Sequence, residues 1–209
     1  WTLNEYGLFK GKSRLDADTE EDLYKHFGLA YIAPELREGR GEIELAETGE
    51  LPQLIEAKDV IGILHVHSTW SDGTASIEDM ANKARKLGYK WMGLSDHSKA
   101  ASYAHGLDDT RLKQQMKEVA ALNAGWKDFR ILHGMEVDIL PDGTLDLSDE
   151  LCRKLDFVFG SVHSRFDMSE SEMTDRICKV IADPHFDVLG HPTGRLLLRR
   201  EGYKVDLER

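Results

Sequence analysis

The sequence is poor in cysteine and in long apolar runs, and each shortage excludes a class of protein. Only two cysteines, Cys152 and Cys178, occur among the 209 residues, and their spacing is not that of a metal-binding pair. A domain of this size needs no disulfide, so we expect the protein to be located in a reducing cytoplasm. No apolar stretch approaches the roughly 20 residues that a membrane span requires. We therefore predict a cytoplasmic, soluble protein with no membrane partner.

Positive charge is also scarce. The chain has 27 Lys and Arg against 38 Asp and Glu, a formal net charge of −11. This balance argues against a broad basic surface that neutralises many nucleic-acid phosphates. Two alternatives stay open: a small anionic substrate, and DNA that is held elsewhere. Bound divalent cations would also reverse the local field of a site built from carboxylates.

The chain length predicts one main domain with a small appended element, because single domains usually span about 100 to 200 residues. The first residue is Trp1 and no secretory sequence is present, so the start looks cut from something longer. Residues 3–9 predict a strand, and residues 19–27 predict a short helix that begins at Thr19 and ends before Gly28. A charged, Glu-rich stretch then predicts an acidic linker over residues 46–59.

From Val60 onward, short apolar runs alternate with amphipathic segments, which is the pattern of an α/β fold with crossover helices. The predicted strands cover residues 60–66, 91–95, 129–137, 157–162 and 188–190. Three apolar stripes at helical spacing fall within residues 77–87, 112–120 and 173–181. Ser76 with Asp79, and Ser169 with Glu172, are placed to cap the first and third of these helices.

Each predicted strand carries a candidate metal ligand at or just beyond its carboxyl end. In barrels of parallel strands these ends open on one face, so residues distant in sequence converge there. Imidazole and carboxylate together suit Zn, Mn or Fe, whereas thiolates would indicate a structural zinc site. We predict a divalent metal cluster held by His65, His67, Asp72, His97, Glu136, His163 and His191.

The residue types also indicate roles within that cluster. On a strand, residues i and i+2 point the same way, so His65 and His67 can hold one ion together. Glu136 has two oxygens and can bridge two ions. If the two ions lie about 3.5 to 4 Å apart, one can activate a water while both neutralise the charge on a phosphoryl group. We predict catalytic roles for Glu136, His97 and Asp96, where Asp96 orients His97 or a water, or else caps the next turn.

Three cations lie within a few residues of the predicted ligands. Lys99, Arg165 and Arg195 could hold a substrate phosphate, and the alternative is that they are ordinary solvated surface side chains. The remaining histidines are predicted not to be ligands. They are His26, His105, His133 and His185.

Several motifs together resemble those of the PHP (polymerase and histidinol phosphatase) family. They are HVHSTWSDG at residues 65–73, SDH at 95–97, GME at 134–136, SVH at 161–163 and GHP at 190–192. Upstream, residues 3–9 and 31–42 resemble the end of the thumb of a family X DNA polymerase. In that family the thumb leads directly into a PHP domain. The resemblance assigns residues 1–45 to the thumb and residues 60–209 to the PHP domain.

The resemblance implies a distorted, TIM-like (β/α)7 barrel with up to three ions, Mn²⁺ or Zn²⁺. It implies one ion at His65, His67 and Glu136, a second at Glu136, His163 and His191, and a third at Asp72 and His97. The family closes its site with an Asp-x-His from a later strand, and this chain stops at Arg209 before such a motif. We therefore expect a barrel that is incomplete at its C-terminus and lacks two ligands.

The implied function is that of a hydrolase of DNA 3′ ends. In family X polymerases this domain resembles 3′–5′ exonucleases with 3′-phosphatase and abasic-site activities in DNA repair, alongside the palm and fingers of the same full-length chain. Two alternatives remain. A histidinol-phosphate-type phosphatase shares the motifs but has no reason to carry a thumb, and a non-catalytic scaffold would be expected to have lost ligands. The oligomeric state is not predicted.

Overall fold

A computed structural model describes residues 1–209 and divides them into two units, residues 1–56 and residues 57–209. The first unit contains a three-stranded antiparallel sheet and two short helices. Its elements are β1 (Thr2–Asn4), β2 (Gly7–Lys10), β3 (Ser13–Leu15), α1 (Glu20–His26) and α2 (Glu42–Thr48). None of the helices in the chain combines the length and the hydropathy that crossing a bilayer would require.

The single strand predicted over residues 3–9 is wrong, because the chain reverses there into the β1–β2 hairpin. The side chain of Asn4 accepts a hydrogen bond from the backbone N–H of Tyr6 at 3.0 Å, a local turn that Asn favours. Gly7 then adopts a φ of +128°, which residues with a Cβ rarely do. The turn that Asn4 and Gly7 favour therefore overrides the strand preference of the apolar residues around them.

The helix predicted to begin at Thr19 is confirmed as α1. The hydroxyl of Thr19 accepts the N–H of Asp22 at 3.2 Å, and Gly28 follows the helix with a φ of +73°. The segment predicted to be a linker overlaps α2, whose Ala46 is buried and which ends at Gly49 with a φ of +74°.

All five strands predicted beyond Val60 form, and they pair in parallel as one sheet in chain order. They are β4 (Gly62–Val66), β5 (Trp91–Leu94), β6 (Arg130–Asp138), β7 (Phe157–Ser161) and β8 (Val188–Leu189). The helices of this unit are α3 (Ile77–Lys86), α4 (Asp109–Gly125), α5 (Asp149–Cys152) and α6 (Glu170–Ile181). Consecutive parallel strands joined by helices are the arrangement of a TIM-like barrel. A complete (β/α)7 barrel and a truncation stay predictions.

The predicted caps are confirmed, and the predicted apolar stripes are buried or half-buried except at Leu87, Ala120 and Ile181, which are exposed. Ser76 accepts the N–H of Asp79 at 3.1 Å at the start of α3, and Ser169 forms a capping box with Glu172 at the start of α6. Apolar side chains of α3 and α4 pack on β5 and β6. On the sheet itself, a Cβ on Gly134 would lie 2.3 Å from the ring of Phe157, so the glycine makes room for that ring.

Candidate metal centre

The carboxylate of Glu136 on β6 is 1% exposed and has the imidazoles of five histidines around it. Its Oε2 lies 3.1 Å from His65 Nε2, 3.4 Å from His67 Nε2 and 3.1 Å from His97 Nδ1. Its Oε1 lies 3.3 Å from His163 Nε2 and 3.0 Å from His191 Nε2. The two oxygens thus face different groups of nitrogens, as bridging two cations would require.

Asp72 extends the centre on one side. Its Oδ1 lies 3.2 Å from His67 Nδ1 and its Oδ2 lies 3.6 Å from His97 Nε2. The structure therefore brings all seven predicted ligands together. Three sets of side chains each place their ligand atoms within 4.8 Å of one another: His65, His67 and Glu136; His67, Asp72 and His97; His97, Glu136 and His163.

Strand alternation predicted that the side chains of His65 and His67 would converge. In the structure they converge because of an irregularity at the end of β4 instead. The pairing of β4 with β5 shifts register between Ile63 and Val66, and His65 has a φ of +64°. His67 lies beyond the end of β4, and the two rings stack with centroids 5.1 Å apart. Non-glycine residues adopt a positive φ uncommonly, at a cost of about 1–3 kcal/mol, and such residues cluster at functional sites.

The donor atoms fit a divalent cation. His67 Nδ1 and His97 Nδ1 are buried and have no hydrogen-bond partner. His163 Nε2 and His191 Nε2 face each other at 3.2 Å. Buried polar nitrogens are nearly always paired, so unpaired imidazole nitrogens beside carboxylates form a set of donors that a divalent cation would satisfy. Imidazole and carboxylate are ligands that Zn and Mn accept, and no thiolate takes part.

The charge states of Glu136 and His97 suit ligation, whereas His163 would have to lose a proton to bind an ion. Burial opposes ionisation of Glu136, but hydrogen bonds from His163, His191 and His65 outweigh it and hold the pKa well below its usual range. Burial lowers the pKa of His97, which keeps that imidazole neutral. Burial also opposes protonation of His163, but its hydrogen bonds with Asp138 and Glu136 prevail and raise the pKa to about 9.

Asp138 is a residue of the centre that sequence reasoning missed. Its Oδ1 lies 2.5 Å from His163 Nδ1, and the residue is 5% exposed. This contact orients the ring so that Nε2 faces Glu136, as carboxylates behind metal-binding histidines commonly do. The signal was present in the sequence, because Asp138 follows Glu136 by two positions and so shares its face of β6.

The predicted role of Asp96 in orienting His97 or a water stays a prediction, and in the structure four other donors occupy its carboxylate. They are the backbone N–H of Ser68 (2.8 Å), the hydroxyl of Ser68 (2.6 Å), the hydroxyl of Ser71 (2.5 Å) and the amide of Gln115 (2.7 Å). Asp96 fixes residues 68–73, the segment that carries Asp72, and its side chain is buried.

This hydrogen-bonded network continues away from the centre. The carbonyl of the Gln115 side chain accepts a hydrogen bond from His133 Nε2 at 2.8 Å, and both residues are buried. His133 thus has a structural role outside the centre, in agreement with its predicted absence from the ligands. The structure places none of the other excluded histidines in the ligand sets.

The three predicted substrate cations make other contacts. Lys99 Nζ lies 3.8 Å from Asp146 Oδ1, and Arg165 Nε lies 3.7 Å from Asp167 Oδ1. Arg195 begins the exposed segment 195–201, which borders a cavity of about 540 Å³. No ion pair joins any of the three to the centre, so their phosphate-binding role stays a prediction.

Tyr103 stands beside the centre and was also missed from the sequence. It is 66% exposed, and its ring centroid lies 6.1 Å from that of His97 and 6.2 Å from that of His163. Partial burial and the nearby carboxylates of Asp138 and Glu136 raise its pKa to about 12, so the hydroxyl stays protonated.

Comparisons with known proteins match two separate parts of the chain, one in each of the two units. A family model described as "PHP domain" matches residues 64–203, and one described as "DNA polymerase beta thumb" matches residues 1–38. The chain is 46% identical over 190 residues to the "DNA polymerase/3'-5' exonuclease PolX" of Bacillus subtilis, covering 91% of this chain and 33% of that protein.

Other relatives match a smaller part of the chain. A "Probable phosphatase" of Thermoanaerobacter sp. (strain X514) is 31% identical over 152 residues, covering 69% of this chain and 56% of that protein. A "Probable phosphatase" of Acetivibrio thermocellus is 30% identical over 135 residues, covering 61% and 52% respectively. The chain thus spans a third to about half of the length of these curated relatives.

Proposed function

Because the chain belongs to the PHP domain family, we propose that it is the metal-dependent phosphoesterase part of a family X DNA polymerase and acts on DNA 3′ ends. The proposed reaction is 3′–5′ exonuclease cleavage, with 3′-phosphatase and abasic-site cleavage as related activities in DNA repair. One observation carries the proposal: the ionised carboxylate of Glu136 lies among five imidazoles, with Asp72 completing a cluster of donors.

The proposal gives each side chain a task. His65, His67, Asp72, His97, Glu136, His163 and His191 would hold Mn²⁺ or Zn²⁺ ions. When bound, such ions activate a water and neutralise charge on a phosphoryl group. Asp138 keeps His163 Nε2 directed at Glu136, and Asp96 holds the segment that carries Asp72. Lys99, Arg165 and Arg195 would contact the phosphates of the DNA end.

A small-molecule phosphatase is the second candidate, supported by relatives that carry the name "Probable phosphatase" and match 61–69% of the chain. The match of residues 1–38 to a polymerase thumb favours the DNA substrate, because a small-molecule enzyme has no use for that segment. A non-catalytic scaffold is disfavoured, since all seven proposed ligand positions hold competent side chains that converge on Glu136.

The test is metal content and Mn²⁺-dependent release of nucleotides from a 3′-labelled oligonucleotide. It compares this chain with a version extended through an Asp-x-His motif, each with Glu136→Gln as an isosteric control. We expect about three ions per extended chain, digestion from the 3′ end, and loss of both in the variant. Cleavage of small phosphate monoesters alone would establish the phosphatase, and the absence of bound metal would establish a scaffold.

A further inference from the structure

One large aromatic side chain borders the metal centre without belonging to it. Tyr103 leaves 66% of its surface exposed, although its ring lies within 6.2 Å of the imidazoles of His97 and His163. An aromatic ring stabilises a fold mainly by being buried, and Tyr103 belongs to none of the three core clusters. Its exposed face therefore calls for a partner that arrives with the substrate.

The turn that carries Tyr103 is anchored on both sides. It is a 3₁₀ turn (Ser102–Ala104) in which Ala104 is 1% exposed. Immediately after it, the guanidinium of Arg111 donates hydrogen bonds to the carbonyls of His105 (2.6 Å) and Gly106 (3.1 Å). The same guanidinium donates to the carbonyl of Trp70, in the segment that carries Asp72. The backbone that carries the ring is thus held at a defined place beside the centre, which reduces the entropy lost when a ligand packs there.

We propose that Tyr103 is the stacking platform for the base of the terminal nucleotide of the DNA 3′ end. The inference rests on the proposed function and deepens it. A phosphate held by the histidine centre would place the base of the same nucleotide within reach of a ring only about 6 Å from His97 and His163. A sugar phosphate offers no aromatic face to this ring, and histidinol phosphate offers a single imidazole, which is smaller than any nucleobase.

Stacking also fits the low positive charge of the chain. A formal charge of −11 provides little general attraction for a DNA backbone, so contacts with the terminal nucleotide must supply affinity. Base–aromatic stacking contributes about 5- to 100-fold in affinity per base and tolerates any sequence, because every base has a π-face. Tyr103 would therefore select nucleotides over small phosphate esters without selecting among bases.

The experiment pairs protein variants with altered DNA ends in the full-length protein. Tyr103→Leu removes the aromatic face and Tyr103→Phe retains it without the hydroxyl. Each is tested on a single-stranded oligonucleotide with a normal 3′-terminal base and on one whose terminal residue is abasic. Two readouts are taken: Mn²⁺-dependent release of the terminal residue, and binding measured by fluorescence anisotropy in Mn²⁺ with a 3′-terminal linkage that resists hydrolysis. The second readout does not depend on catalysis.

We expect Tyr103→Leu to weaken binding and to raise KM about 5- to 100-fold for the normal end, with kcat changed far less. The variant should behave like wild type on the abasic end, and Tyr103→Phe should stay within about twofold of wild type on both ends. Circular dichroism identifies any variant that has not folded. The Tyr103→Phe variant then shows whether the ring or the hydroxyl of Tyr103 makes the contact with the DNA end.

Three outcomes would overturn the inference. Equal losses in the Leu and Phe variants would make the hydroxyl the contact, and equal losses on normal and abasic ends would show that the base is not involved. Unchanged binding in Tyr103→Leu would leave the ring without a role. Failure of the proposed function is distinguishable, because wild type would then cleave neither end whatever the binding measurements show.

Discussion

Replacing Gln115 by Leu should destabilise the second unit more than its neutral side chain suggests. Gln115 is fully buried on α4 and joins two titratable groups. Its amide donates to Asp96 at 2.7 Å and its carbonyl accepts from His133 at 2.8 Å. Leucine has a similar size but cannot make either bond, so the change removes both contacts at once.

The expected loss of stability follows from the buried groups that Gln115→Leu leaves without partners. His133 Nε2–H loses the only acceptor that the structure gives it, and Asp96 keeps three of its four donors. A buried group without a partner costs about 1–3 kcal/mol, and more when it is charged, while leucine recovers part of this by apolar burial. We expect the free energy of unfolding to fall by about 2–4 kcal/mol.

The assay is urea unfolding followed by tryptophan fluorescence, which reports on Trp70, Trp91 and Trp126 in the second unit. Gln114→Leu is the matched control, because Gln114 is the exposed neighbour on the same helix. That variant should change stability by no more than about 0.5 kcal/mol. If the two leucine variants lose the same stability, the buried network contributes nothing and the reasoning is refuted.

Three further predictions follow from other contacts. Asp138→Asn should weaken binding of Mn²⁺ about 10- to 100-fold by titration calorimetry, because His163 loses the carboxylate that orients it, whereas the exposed Asp175→Asn should not. Burial lowers the pKa of His133 to about 4, against about 6.5 when unfolded. The unfolded chain therefore binds more protons between these values, and stability should fall by up to about 3 kcal/mol as the pH drops from about 6.5 to 4. His133→Gln should flatten this slope in urea titrations, and an unchanged slope would assign it to other groups. Ser169→Ala should lower the thermal unfolding midpoint through a loss of about 1 kcal/mol at the α6 cap, and an unaltered midpoint would contradict that role.

Local sequence patterns determined much of the second unit. Apolar runs predicted the five parallel strands, and Ser76 and Ser169 predicted where two helices begin. The seven proposed ligands were also predictable, because parallel strands bring residues at their carboxyl ends to one face whatever their separation in sequence. These features depend on residues close together in the chain or on a general property of the sheet.

Other features depended on which side chains meet in three dimensions. The positive φ of His65 comes with a register shift, the four bonds of Asp96 come from two distant segments of the chain, and Tyr103 reaches the centre from an anchored turn. The reversal after Asn4 is different, because it depended on a local contact of Asn4 and on Gly7, which override the apolar run around them. The sequence by itself determined which residues could bind metal and where they would gather. Only the tertiary structure decided what supports them, because hydrogen bonds between distant segments leave no periodic pattern in the sequence.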